Sequence, residues 1–217
     1  MKIGILFDLD GTLVDTLQDL TDCTNHILQQ YGYPVRTAAQ IRSFVGNGAR
    51  VLIQKALPEG TEDVTVDRAL ADYEEYYREF CRTQEPVLYP GIAEAVAQIQ
   101  KEFPVAVVSN KPDAATQAIC SRCFTGVFAR GVLPDCPRKP APDMLQAAMQ
   151  ALKVDTCVYV GDSEVDILTA NNTGVPCLSV TWGFRDVDQL EEAGGKYFCS
   201  RREDMLPMLR QIIAENF

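Results

Sequence analysis

Stretches long enough to enter a membrane are missing from this chain: no apolar run approaches the ~20 residues that a spanning helix needs. The first apolar run, Ile3 to Phe7, is shorter than the ~7–15 residues of a signal-peptide core, so a cytoplasmic location is expected. Positive charge is also in short supply. With 20 Lys and Arg against 30 Asp and Glu the formal net charge is −10, which argues against a nucleic-acid binder. Histidine occurs once, as His26 in a predicted helix, and is expected on that helix's surface or packed against a neighbour rather than in the chemistry. Cys120-Ser121-Arg122-Cys123 has no second pair at zinc-ligand spacing, and the eight scattered cysteines read as free thiols. Internal repeats and low-complexity tracts are absent. What is present, 47% hydrophobic and 23% charged residues in a chain of 217, suits a soluble globular protein with one sizeable core and room for a second small one.

The informative run is Phe7-Asp8-Leu9-Asp10-Gly11-Thr12. Residues 3–7 read as a fully buried parallel strand, because the run is short, continuous and apolar and stops at a glycine-containing turn. Side chains two apart on an extended backbone point the same way, so Asp8 and Asp10 share a small volume at the strand's open end. Two such anions repel unless a cation or a shared proton relieves them, and a hard divalent ion with oxygen ligands, Mg²⁺ above all, is the expected partner. Taken alone, the same residues also suit an ordinary Asp-Gly turn.

Three further segments are spaced as successive strand ends of one sheet. Val105 to Val108 lead into Ser109-Asn110-Lys111; Arg138-Lys139-Pro140-Ala141-Pro142-Asp143 opens a predicted helix; Cys157 to Val160 lead into Gly161-Asp162-Ser163-Glu164-Val165-Asp166. Open α/β sheets place ligands beyond the carboxyl ends of their strands, so the four segments are expected to converge. Together they resemble the haloacid dehalogenase superfamily, whose motifs run Asp-x-Asp-Gly-Thr, a strand-end Ser or Thr, a Lys, and Gly-Asp-x-x-x-Asp. All four occur here in order, across essentially the whole chain. The resemblance implies an α/β fold with a Rossmann-like parallel sheet core.

The residue types also suit phosphoryl transfer, which needs an in-line nucleophile, neutralisation of the phosphoryl oxygens and a proton donor for the leaving group. Asp8 is expected to attack phosphorus and carry an aspartyl-phosphate; Asp10 is expected to protonate the leaving alcohol and then to deprotonate water. Lys139 supplies a fixed charge against the phosphate and Asp8. Thr12, Ser109, Asn110 and Lys139 are expected to hold phosphoryl oxygens. Asp8, Asp10 and Asp162 form the expected metal set, with Asp166 bonding Lys139 or a metal-bound water. Read alone, Ser109 and Asn110 suit a helix cap just as well. The global charge is no obstacle, because charges beyond ~8 Å are screened at physiological salt while Mg²⁺, Lys139, Lys111, Arg138, Arg50 and Arg185 act locally.

Strand and helix patterns alternate with one interruption. Helical patterns at about 17–31, 41–57 with a glycine break, and 67–81 follow one another without a strand, and the chain returns through Glu85-Pro86 and Tyr89-Pro90-Gly91. The expected organisation is a core of residues 1–15 and 86–217 with an inserted helical cap domain, 16–85, hinged at its two crossings. The core pattern predicts strands at 104–109, 126–130, 156–161, 175–180 and 196–199, separated by helices and followed by a last one at 203–215. Within the cap, Val45-Gly46-Asn47-Gly48-Ala49-Arg50 makes a tight loop with exposed backbone donors, and Arg50 is expected to grip a carboxylate or second phosphate bidentately. A plain helix–helix turn is the other reading of that loop.

The cap loop, Ser109-Asn110-Lys111 and Thr181-Trp182-Gly183-Phe184 resemble the phosphoglycolate phosphatases. That resemblance implies a Mg²⁺-dependent phosphatase of a small phosphorylated metabolite, 2-phosphoglycolate first, with no nucleic-acid or membrane partner, working as a monomer or homodimer. A phosphatase of a sugar phosphate, nucleotide or pyrophosphate, a β-phosphoglucomutase and a non-catalytic phosphate-binding regulator stay open. Gly161 stands where such mutases usually show Glu, and Asp10 and Asp162 speak against a metal-free haloacid dehalogenase.

Overall fold

The computed structural model describes residues 1–134 and 136–217. Continuous apolar runs become the inner strands of a six-stranded, all-parallel sheet in the order β3-β2-β1-β4-β5-β6. The strands are β1 (Ile3–Phe7), β2 (Val105–Pro112), β3 (Phe128–Val132), β4 (Thr156–Gly161), β5 (Cys177–Val180) and β6 (Tyr197–Cys199). From β1 the chain steps outward to β3, then crosses back to β4 and steps outward the other way. That reversal opens a crevice at the carboxyl ends of the central strands, where open α/β sheets bind ligands. In register, Leu6 of β1 faces Ala106 of β2 on one side and Tyr159 of β4 on the other.

Alternation along β1 splits the core in two. Leu6 packs with Ala106, Val108 and Tyr159 against Met144 and Leu145 of α7 (Asp143–Leu152), on the face that also meets α8 (Glu164–Thr173). Ile5 and Phe7 point the other way, into a cluster with α5 (Ile92–Ile99), α6 (Asp113–Cys123) and α10 (Met205–Asn216). A short α9 (Val187–Glu192) links β5 to β6.

Between β1 and α5 stand four helices: α1 (Leu17–Gln30), α2 (Ala38–Phe44), α3 (Ala49–Ala56) and α4 (Asp63–Thr83). Helix α4 buries Val66, Ala69, Tyr73, Tyr77 and Cys81, a stripe at three- and four-residue spacing. This stripe and the buried faces of α1 and α3 belong to the same apolar cluster as Ile5 and Phe7. The two crossings are tied to each other. Asp15 N donates to Val87 O at 2.8 Å, and Val14 bridges Leu88 antiparallel.

Two elements differ from the sequence pattern. The stretch expected as one broken helix over 41–57 is two helices, because Thr37 and Gln40 form a capping box that starts α2 earlier and extended Val45 ends it. Strand β2 continues to Pro112 instead of ending at 109. Val108 faces Arg130 and Pro112 faces Val132, so four steps of β2 match two of β3 and Ser109–Lys111 bulge. Among the described residues no helix is long and apolar enough to cross a membrane.

Candidate active site

Asp8 follows β1 directly, 8% exposed, at the reversal point. Lys139, from the proline-rich turn before α7, has its side chain 2% exposed and its ammonium 2.9 Å from Asp8 Oδ1 and 2.8 Å from Asp166 Oδ1. It also donates to the Tyr159 hydroxyl at 2.8 Å, and Tyr159 in turn donates to Val108 O at 3.0 Å. The lysine is thereby fixed from three sides. Its ion pair with Asp8 Oδ1 is the one contact that oxygen has among the described residues. Burial pushes the Asp8 carboxyl up to about 7 despite the opposing charge of Lys139, with Asp166 and Asp10 adding to the rise. Lys139, between two carboxylates, is held above the usual lysine range even though burial opposes it.

Asp162 follows β4 as Asp8 follows β1. Its Oδ1 accepts from Thr12 Oγ1 at 3.0 Å and its Oδ2 from Phe184 N at 2.7 Å. Burial, then the charges of Asp166 and Asp8, raise it well above the ordinary carboxylate range. Backbone packs tightly around this group: Gly11 has φ +81°, and a Cβ on Gly11 or Gly183 would run into the Asp162 carboxylate. Asp166, in the first turn of α8, accepts on Oδ2 from Asp162 N, Ser163 N and Ser163 Oγ at 3.2, 3.1 and 2.7 Å.

One oxygen each from Asp8, Asp162 and Asp166 lies within 4.8 Å of the others. Three buried carboxylates beside one ammonium leave uncompensated negative charge, and they fit a divalent cation with oxygen ligands. Asp166 is already committed to Lys139 and to the start of α8. Asp8 and Asp162 are the side chains left to bind it.

Several expected site residues are used otherwise. The Asp10 carboxylate shares the cavity with Asp8 and Asp162 but is held by other partners: Oδ1 accepts from Thr16 Oγ1 at 2.8 Å, and Lys111 Nζ reaches Oδ1 and Oδ2 at 2.7 and 3.0 Å. Its side chain is therefore not a member of the metal set. Thr12, expected on phosphate, spends its hydroxyl on Asp162. Asn110 Nδ2 donates to Gly46 O and Lys139 O at 3.0 and 2.9 Å, and its Oδ1 accepts from Lys139 N at 2.9 Å. Its amide thus clamps the lysine segment to the 45–48 loop and has no capacity left for phosphate. Ser109 Oγ accepts from Lys111 N at 3.3 Å, which leaves its own O–H to donate into the cavity it lines.

That cavity, about 50 Å³, is walled by Leu20, Leu52 and Tyr73 of the inserted helices and floored by Asp8, Asp10 and Asp162. Gly46 and Gly48 border it, whereas Asn47 and Arg50 do not. Arg50 instead pairs with the exposed Asp67 at 2.9 Å and Asp63 at 3.5 Å of α4, although its neighbour Ala49 borders the cavity. Lys111 is the residue that sequence reasoning undervalued. Regular strand alternation does not announce it, because Ser109–Lys111 bulge out of the ladder.

Residues 5–180 match the family of haloacid dehalogenase-like hydrolases. The chain is 34% identical to the phosphoglycolate phosphatase of Cereibacter sphaeroides, over 97% of its own length and 99% of the relative's. It is 29% identical to phosphoglycolate phosphatase 1 of Pseudomonas aeruginosa, over 95% and 79%. A solved structure from Lactobacillus delbrueckii subsp. bulgaricus, provisionally assigned as a phosphoglycolate phosphatase, has a TM-score of 0.88 at 33% identity and covers 96% of this chain and 99% of its own. The family match over most of the chain and the near full-length relative decide the point: the chain belongs to the haloacid dehalogenase-like hydrolases.

Proposed function

We propose that the protein is a Mg²⁺-dependent phosphatase that hydrolyses 2-phosphoglycolate through an aspartyl-phosphate on Asp8. The cluster of Asp8, Asp162 and Asp166 beside Lys139 at the sheet's reversal point carries this reading. The substrate follows from the names of the relatives, and the apolar side chains of Leu20, Leu52 and Tyr73 over the site confine the leaving group.

Mg²⁺ would be held by the carboxylates of Asp8 and Asp162 and the main-chain carbonyl of Asp10, and when bound it supplies charge neutralisation for the phosphoryl oxygens. Lys139 and the Ser109 hydroxyl orient the remaining oxygens. An Asp8 oxygen attacks phosphorus, the bond from phosphorus to the ester oxygen breaks, and that oxygen takes a proton from Asp10. Asp10 then accepts a proton from water as the water attacks the acyl phosphate. The bond to Asp8 breaks and inorganic phosphate leaves. Residues 16–85 act as a cap on a core of 1–15 and 86–217, hinging at the Asp15–Val87 link to admit substrate and exclude water.

The test is phosphate release from 2-phosphoglycolate, a sugar phosphate, a nucleotide and pyrophosphate, with Mg²⁺ and with excess chelator. Metal-dependent release, fastest on 2-phosphoglycolate, is expected. Full activity in chelator removes the metal, and a faster sugar phosphate removes the substrate assignment.

A further inference from the structure

With Arg50 outside the cavity, a carboxylate on the leaving group has to be met by another cation. Three candidates touch the site. Lys139 is pinned between Asp8 and Asp166. Arg185 is also committed: four of its N–H bonds run to the Glu164 carboxylate and to the carbonyls of Arg42 and Val45. Lys111 differs from both. Its side chain is 2% exposed, and its ammonium reaches the two oxygens of Asp10 at 2.7 and 3.0 Å and the Tyr77 hydroxyl at 2.5 Å. Asp10, Tyr77 and Lys111 all line the cavity that Asp8 floors.

The placement has a backbone cause. The bulge of Ser109–Lys111 near the carboxyl end of β2 displaces the lysine from the regular ladder, and Tyr77 of α4 receives its ammonium, 4.6 Å from the ring centre. Two of its three N–H groups fall on one carboxylate. An incoming anion can take one of them without leaving Asp10 unpaired, and no other cation has to be uncovered. Walls of Leu20, Leu52 and Tyr73 keep the contact poorly solvated, which strengthens it.

We propose that Lys111, steadied by Tyr77, binds the anionic group of the leaving alcohol, the carboxylate of 2-phosphoglycolate, and sets the preference of this site for acidic over neutral leaving groups. The inference rests on the phosphatase reading above. When the acidic substrate enters, one N–H of Lys111 stays on Asp10 and one turns to the carboxylate. A neutral leaving group offers at most an uncharged acceptor, so its contact with Lys111 lacks the ion-pair attraction that the carboxylate supplies. Because the lysine belongs to β2 and its rest to α4, the recognising contact forms only with the inserted helices in place.

The experiment compares kcat/KM for 2-phosphoglycolate with that for 2-hydroxyethyl phosphate, which carries a CH₂OH in place of the carboxylate. The ratio taken from one preparation does not depend on how much of the protein is folded. Lys111→Met is expected to lower the ratio by about 10- to 150-fold, the worth of a hydrogen bond to a charged group. Lys111→Arg is expected to keep the acid preferred, and Lys111→Gln repeats the test if the methionine variant does not fold. A preference that survives Lys111→Met, with equal losses on both substrates, overturns the proposal and leaves Lys111 serving Asp10 alone. Wild-type protein that hydrolyses 2-hydroxyethyl phosphate but not 2-phosphoglycolate overturns the substrate reading itself.

Discussion

A buried carboxylate that waits for a cation needs donors to hold it, and Asp162 has two, the Thr12 hydroxyl and Phe184 N–H. Thr12→Val removes the hydroxyl and leaves the fold's volume nearly unchanged. Losing the partner that orients a metal ligand typically costs 10- to 100-fold in metal affinity. The Mg²⁺ concentration for half-maximal activity is therefore expected to rise by about that factor, with turnover at saturating Mg²⁺ little altered; an unchanged titration would remove Asp162 from the ligand set. Asp8→Asn is a harsher change. It is expected to lower kcat by on the order of 10⁴-fold or more, as loss of a covalent nucleophile does elsewhere, and to abolish the acid-stable phosphoenzyme in a quench experiment. At this scale the sequence was informative wherever a residue directly follows a strand, as Asp8 and Asp162 do. It was misleading for Thr12 and Asn110. Their actual partners lie 150 and, for Asn110, 64 and 29 residues away, and no local pattern announces a bond across that distance.

Between elements, the same division appears. The buried stripe of α4 was readable from its three- to four-residue spacing, and the inner parallel strands from apolar runs too short for a helix and closed by turn residues. The bulged end of β2 was not, since Ser-Asn-Lys-Pro has little intrinsic strand preference and is drawn into the sheet by its pairing with Val132 of β3. Nor does the sequence tell that α3 lies along α4, which is what takes Arg50 to Asp63 and Asp67. Both pairs are solvent-exposed, so Arg50→Ala is expected to cost less than about 1 kcal/mol in thermal unfolding. The same variant is expected to leave kcat/KM on 2-phosphoglycolate within about threefold of wild type. A selective loss of tenfold or more on that substrate would mean that α3 rearranges to bring Arg50 inward during turnover.

For the whole molecule, the acidic centre makes stability depend on pH and on metal in opposite directions. The carboxyl of Asp8 titrates near 7 in the fold, against about 3.9 in the unfolded chain, so between these values the folded state binds more protons. Stability of the metal-free protein therefore falls as pH rises through that window. Asp162 is shifted in the same direction and adds to the fall. Lys139 and Lys111, both raised by their carboxylate partners, stay charged throughout and do not offset it. A divalent cation binds the ionised carboxylates only, so at pH 5 it has to displace protons that are absent at pH 8. In chelator, Tm is expected to fall from pH 5 to pH 8. Adding Mg²⁺ at a hundredfold excess over its Kd is expected to raise Tm by about 5–10 °C at pH 8 and by much less at pH 5. Asp8→Asn, which removes one of the crowded charges, is expected to flatten the fall in chelator and to shrink the gain from Mg²⁺ together. A chelated protein whose Tm rises across the same interval would mean that the buried carboxylates are compensated by the protein itself, and the case for a cation between Asp8 and Asp162 would be lost with it.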